Sequence, residues 1–144
     1  MEKVLLDTSY FIAYLNKNDK YHSEALSLSK KIAEFESVIT DYILDELLTF
    51  LIYRINKNYA INIAKTILNK IDNEELTLYM IGIETLNGAL NYLARYDKKL
   101  SFTDCTTLSS MDKLRTQFIV SFNSDFDDIT LIEFKKPVIN IRYL

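Results

Sequence analysis

Four residues near the start, Val4-Leu5-Leu6-Asp7, constrain the fold more than any other stretch. Three apolar residues run directly into an acid, and the hydroxyl residues Thr8 and Ser9 follow. A short apolar run without polar alternation reads as a strand covered on both faces, as in a parallel sheet. Parallel strands need long crossovers, usually helical, so the feature demands an α/β chain. An acid at the exit of such a strand is costly unless it is solvated, paired or holding a cation. In open α/β sheets the carboxyl edge of the strands is where ligands bind. The question is what else reaches that edge.

The rest of the chain alternates as this requires. Helical spacing is expected over residues 9–15 and 21–35, then a strand at 37–40. Asp41 is expected to cap a helix running to about Ile55, with Ile43, Leu44, Leu47, Leu48 and Leu51 inward and Glu46 beside them. A helix over 58–71, a strand at 76–80 and a helix over 84–96 follow, the last with Leu86, Ala89, Leu90 and Leu93 inward. Ser101 or Thr103 caps the next helix, through Leu114, and residues 118–121 form another short strand. Residues 130–132 are expected as an edge strand, and 138–141 as a last strand or a partner-binding arm. Two glycines and one proline favour long helices and short connections. The order is that of an α/β domain with a parallel sheet and helices on both faces.

At 144 residues one domain, 1–144, is expected. The net charge of −3 is not the broad basic balance of a protein that binds nucleic acid by electrostatics alone. One cysteine allows no internal disulfide. The N-terminus lacks the pattern of a signal peptide, and no window approaches the roughly 18 apolar residues of a membrane span. A cytoplasmic protein with no membrane partner is expected.

Polar residues then converge on one edge. Asp7 ends the first strand, Glu46 lies early in the helix after the second, Asp104 opens a later helix, and Asn123 and Asp125 follow the strand at 118–121. Gathered carboxylates raise one another's pKa values. A hard divalent cation relieves that repulsion, and Mg²⁺ needs only one or two carboxylates directly. Such a site suits phosphodiester hydrolysis. Taken singly, each residue has a plainer role: Asp7 as a helix cap, Asp104 as a helix-start acid, Glu46 as a solvated side chain, Asp125 as a loop acid, Asn123 as a turn residue. His22 lacks partners at zinc spacing and reads as structural, and Cys105 as a buried small hydrophobe.

Four blocks taken together carry a resemblance. Asp7-Thr8-Ser9, Thr40-Asp41-Tyr42-Ile43-Leu44-Asp45-Glu46, Ser101-Phe102-Thr103-Asp104-Cys105 and Ser121-Phe122-Asn123-Ser124-Asp125-Phe126 resemble, in order and spacing, the motifs of PIN-domain ribonucleases. The likeness is greatest to the toxin subunits of VapBC-type toxin–antitoxin pairs. It implies a PIN-like three-layer α/β/α sandwich around a central, mostly parallel sheet of four to five strands. It also implies an endoribonuclease that hydrolyses RNA phosphodiester bonds with Mg²⁺ or Mn²⁺. By matching position, Asp7 and Asp104 would be the main metal ligands, Glu46 would act directly or through a water, and Thr8 would orient Asp7 or a ligated water. Asn123 stands where the family's last acid usually sits, three residues before Phe126; its oxygen can ligate without charge, and Asp125 is the acid available to substitute. A homodimer and a small antitoxin are implied as well. The alternative is a PIN-like module that binds RNA or protein without cutting. A dehalogenase-type phosphatase wants a second aspartate where Ser9 stands, and a receiver domain wants acids where Leu5 and Leu6 stand. No glycine-rich phosphate loop is present.

Overall fold

Strand β1 (Lys3–Leu6) lies at the centre of a five-stranded sheet in the order β3-β2-β1-β4-β5, every neighbouring pair parallel. The computed structural model describes residues Met1–Leu144. Between β1 and β2 (Glu36–Thr40) run α1 (Thr8–Leu15) and α2 (His22–Ile32). Helices α3 (Asp41–Arg54) and α4 (Lys57–Asp72) lead to β3 (Thr77–Tyr79), and α5 (Ile83–Arg95) and α6 (Phe102–Leu114) lead to β4 (Phe118–Val120). Strand β5 (Ile139–Asn140) closes the sheet beside β4, so the C-terminal stretch is a strand of this chain.

Alternation along the strands builds two cores. Val4, Leu6, Ile39 and Val120 pack with residues of α1 to α4. Leu5, Val38 and Ile119 face the other way, against α5, α6 and the loop carrying Ile129 and Leu131. The result is the expected three-layer sandwich, with the first strand buried on both faces. No helix is long and apolar enough to cross a membrane.

Several local expectations fail for identifiable reasons. Thr40, not Asp41, caps α3: its hydroxyl accepts from the Ile43 N–H at 3.0 Å. Asp41 is the first helical residue, and its carboxylate accepts from the Ile81 N–H beyond β3. Helix α5 is rotated relative to the leucine pattern. Thr85, Ala89 and Tyr92 are buried, whereas Leu90 and Leu93 stay about half exposed. Close approach to α6 decides this: a β-carbon at Gly88 would lie 2.3 Å from the Ser109 hydroxyl oxygen. The small face of α5 can come that near; the leucine face cannot. Residues 130–132 form no strand. The chain folds back through reciprocal backbone hydrogen bonds of Leu131 with Lys135 and Lys136, leaving a single antiparallel bridge, Thr130 to Pro137.

Candidate active site

Asp7 continues the ladder of β1 by donating its backbone N–H to Val120, then becomes the N-cap of α1. Its cap bond is weak, with the Ser9 N–H 3.4 Å from Oδ2. Two hydroxyls hold that oxygen far better. Ser9 Oγ donates to Oδ2 at 2.6 Å and Ser121 Oγ at 2.8 Å. Each hydroxyl also accepts a backbone N–H, Ser9 from Phe122 and Ser121 from Asn123, both at 2.9 Å. The two hydroxyls lie 3.2 Å apart, but an ionised carboxylate can only accept, and each hydroxyl's shortest contact directs its one proton at Asp7. No hydroxyl donates to Oδ1. Burial pushes the Asp7 carboxyl up from its ordinary value, and the Ser9 and Ser121 hydroxyls oppose the rise.

Asp104 sits at the third position of α6 in a reciprocal cap. Its backbone N–H donates to Ser101 Oγ, and its Oδ2 accepts from the Ser101 N–H, both at 3.0 Å. The plain helix-start role is therefore real, and it fixes the carboxylate's direction. Burial raises the Asp104 carboxyl to about 6; the charges of Asp7 and Glu46 add to the rise, while the bonds from Ser101 oppose it. Glu46 is exposed on α3. Asp7, Glu46 and Asp104, from three different crossovers, line one open cleft of about 340 Å³ with Thr8, Ser9, Ser101 and Asn123. A second hollow of about 290 Å³, lined by Tyr42, Asp45, Glu46, Thr49 and Thr103, shares Glu46 with it.

The structure does not bring Asp125 to this cleft. Asp125 is half-buried in the 3₁₀ turn Ser124–Phe126, while Asn123 lines the cleft. The Asn123 side-chain oxygen is engaged as the turn's cap, accepting from the Asp125 N–H at 3.0 Å. His22 donates from Nδ1 to the Ala13 carbonyl at 2.8 Å, and Cys105 is buried, so both have the plain roles expected of them. Sequence reading missed Ser121 as a support for Asp7, and it weighed Ser9 only as a residue that is not an acid. The signal was available: Ser121 follows an apolar strand as Asp7 does, and the two strands are neighbours in register.

The donor set fits a hard divalent cation. It is all oxygen, and it is anionic where like charges otherwise repel. The Thr8 hydroxyl, beside Asp7 in the cleft, is buried with no hydrogen-bond partner. An orphaned hydroxyl there has a use beside an ion or its water, and a cost without one. No three acid, histidine or cysteine side chains come close enough together to hold a metal ion among them. An ion that keeps several waters needs only one or two direct carboxylates. An apolar hollow of about 280 Å³ between α1 and α4, lined by Leu6, Tyr10 and Ile67 among others, holds no such acids.

Comparison with known proteins bears on the fold and the family. No curated protein matches the sequence. Among solved structures, the crystal structure of Mycobacterium tuberculosis VapC20, described as a sarcin-ricin loop cleaving toxin, superposes with a TM-score of 0.76 at 24% identity. The match covers 90% of this chain and 97% of that one, and shows a shared fold. The family model described as the PIN domain matches residues 4–131, a span that holds all three cleft carboxylates, and the chain belongs to the PIN domain family.

Proposed function

We propose that this protein is a metal-dependent endoribonuclease that hydrolyses RNA phosphodiester bonds as the toxin of a toxin–antitoxin pair. The observation that carries the reading is the meeting of Asp7, Glu46 and Asp104 in one open cleft of a PIN-family fold. Asp7 and Asp104 would hold Mg²⁺ or Mn²⁺, with Glu46 acting directly or through a water. A bound cation of this kind lowers the pKa of water and neutralises charge on phosphoryl oxygens. The chain's own part is positioning. Ser9 and Ser121 fix the Asp7 carboxylate through Oδ2, and Asp7 lines the cleft. The Ser101 cap aims Asp104. Asn123 would contribute neutral polarity at the rim. Asp125 has no part in the cleft and enters only as a residue of the turn that Asn123 caps. The cleft's openness suits a polymer strand, and Tyr42 beside Glu46 offers a ring on which a base can stack. Neither the family match nor the similarity to the toxin structure favours the non-cutting alternative.

The reading extends to partners: a small antitoxin that covers the cleft, and pairing with a second copy of the chain. Sedimentation of the purified protein tests the pairing; a monomer at all concentrations would exclude it.

The decisive experiment is cleavage of structured RNA with Mg²⁺ or Mn²⁺, using Asp7→Asn as control. The substitution keeps the shape and removes the charge. It is expected to cut the rate by more than the roughly 10–100-fold that loss of a ligand's outer hydrogen-bond partner brings. Cleavage that persists in EDTA, or in Asp7→Asn, would sink the proposal.

A further inference from the structure

Asn140 has a use that its place on an edge strand does not require. It lies outside residues 4–131, which match the family. It is buried, and it reaches across to the residue that follows β4. Its Nδ2 donates to the Ser121 carbonyl at 2.8 Å, and its Oδ1 accepts from the Ser121 N–H at 3.3 Å. One side-chain amide thus takes both backbone groups of Ser121, as a paired strand residue would. Strand β5 has ended there: its last backbone partner on β4 is Ile119, and the chain turns away into the 3₁₀ turn Ile141–Tyr143. The same Oδ1 caps that turn by accepting from the Arg142 N–H at 3.1 Å. Ser121 in turn donates its hydroxyl to Asp7.

We infer that Asn140 is a positioning residue for the metal-binding carboxylate: it fixes the Ser121 backbone so that the Ser121 hydroxyl holds Asp7 through Oδ2 where it lines the cleft. The inference deepens the metal-dependent reading above and rests on it. The chain of bonds is Asn140 to Ser121 to Asp7, and no other side chain bonds the Ser121 backbone. A neutral amide suits the task, since it offers one donor and one acceptor at the spacing of a peptide unit. Aspartate would keep the acceptor, lose the donor, and set a charge against the Ser121 carbonyl.

The test is Mn²⁺ affinity of the full chain by calorimetry, alongside RNA cleavage, for Asn140→Ala, Asn140→Asp, Ser121→Ala and the Asn140→Ala/Ser121→Ala pair. Each single substitution is expected to weaken Mn²⁺ binding about tenfold, the scale for loss of an outer hydrogen-bond partner of a ligand. The double variant is expected to bind within about twofold of Ser121→Ala, because both act through one hydroxyl. Gln117→Ala serves as the structural control: it removes a different anchor of the same C-terminal segment, the bond from Nε2 to the Pro137 carbonyl. It is expected to leave Mn²⁺ affinity within about twofold of the parent. Asn140→Asp retains the side chain's shape should alanine loosen the segment. Independent, additive losses in the double variant would overturn the inference. So would parent-like Mn²⁺ affinity in Asn140→Ala, or equal weakening by Gln117→Ala. A parent that binds Mn²⁺ but cleaves no RNA overturns the nuclease reading instead, and the affinities still decide the role of Asn140. A parent that binds no Mn²⁺ overturns both.

Discussion

At the scale of single residues, Asp104 carries the clearest pH signature. Burial, with Asp7 and Glu46 adding to it, raises its carboxyl from 3.8 to about 6 in the folded protein. Between those values the folded chain holds a proton that the unfolded chain has released, so stability falls as pH rises through this window. Above about 6 the full penalty of the ionised form is present. Without metal, Asp104→Asn is expected to flatten that slope and to melt higher than the parent near neutral pH, while losing metal-dependent cleavage. Melting curves against pH in EDTA check the first part; a parent slope retained in the variant would contradict it. Asp7 and Asp104 were legible in the sequence because one stands at a strand exit and the other at a helix start, where charge has a reason to be, and Glu46 followed from its place in the helix after the second strand. Their supports were not. Ser9 is an ordinary polar residue beside Asp7, and Ser121 and Asn140 take their meaning from a partner more than a hundred positions away or on a neighbouring strand. Asp125 was the converse case: a legible acid near the right place that a tight turn carries away from the cleft.

At the scale of elements, the seam between α5 and α6 is set by small residues. Gly88 lies against Ser109, whose buried hydroxyl finds no partner. Ser109→Ala is expected to stabilise the fold by about 1 kcal/mol, since it removes an unsatisfied buried group. Gly88→Ala alone forces that hydroxyl to move and is expected to lower the melting temperature. Combined with Ser109→Ala it gains room, and the better helix propensity of alanine shows. Thermal melts of the two singles and the double decide; a Gly88→Ala cost unchanged by Ser109→Ala would refute the packing account. This seam also explains why the leucine periodicity of α5 misleads. Period alone cannot say which of two adjacent stripes faces inward, and here backbone proximity favoured Thr85, Ala89 and Tyr92. Strands β1, β2 and β4 were legible because each carries a short apolar run, Val4-Leu5-Leu6, Val38-Ile39 and Phe118-Ile119-Val120, bounded by polar residues. The segment at 130–132 has the same apolar look, yet Leu131 pairs within its own loop, while Thr130 and Ile132 bond the hydroxyls of Tyr96 and Tyr92.

At the scale of the molecule, one buried acid outside the cleft ties the last third of the chain together. Asp112 on α6 accepts the Tyr92 hydroxyl at 2.6 Å and the backbone N–H groups of Glu133 and Phe134 at 3.2 and 2.9 Å. Tyr92 accepts in turn from the Ile132 N–H, and burial with the Asp112 bond pushes its phenol far above the usual tyrosine range. Asp112→Ala strands these donors and is expected to cost about 2–4 kcal/mol, measured by denaturant unfolding. A loss under about 1 kcal/mol would show the loop to be held by its apolar residues instead. The overall architecture needed none of this to be read in advance, since the order of strands and helices restricts a parallel sheet to few arrangements. The central place of β1 has one more consequence, in time. Asp7 and Ser121 lie 114 positions apart, and Asn140 is later still. While the ribosome is still building the middle of the chain, the aspartate lacks the Ser121 half of its clamp and the β4 strand on that side. Any activity that depends on Asp7 is therefore silent through most of synthesis, and a cell making this protein meets its chemistry only once translation has carried the sheet nearly to completion.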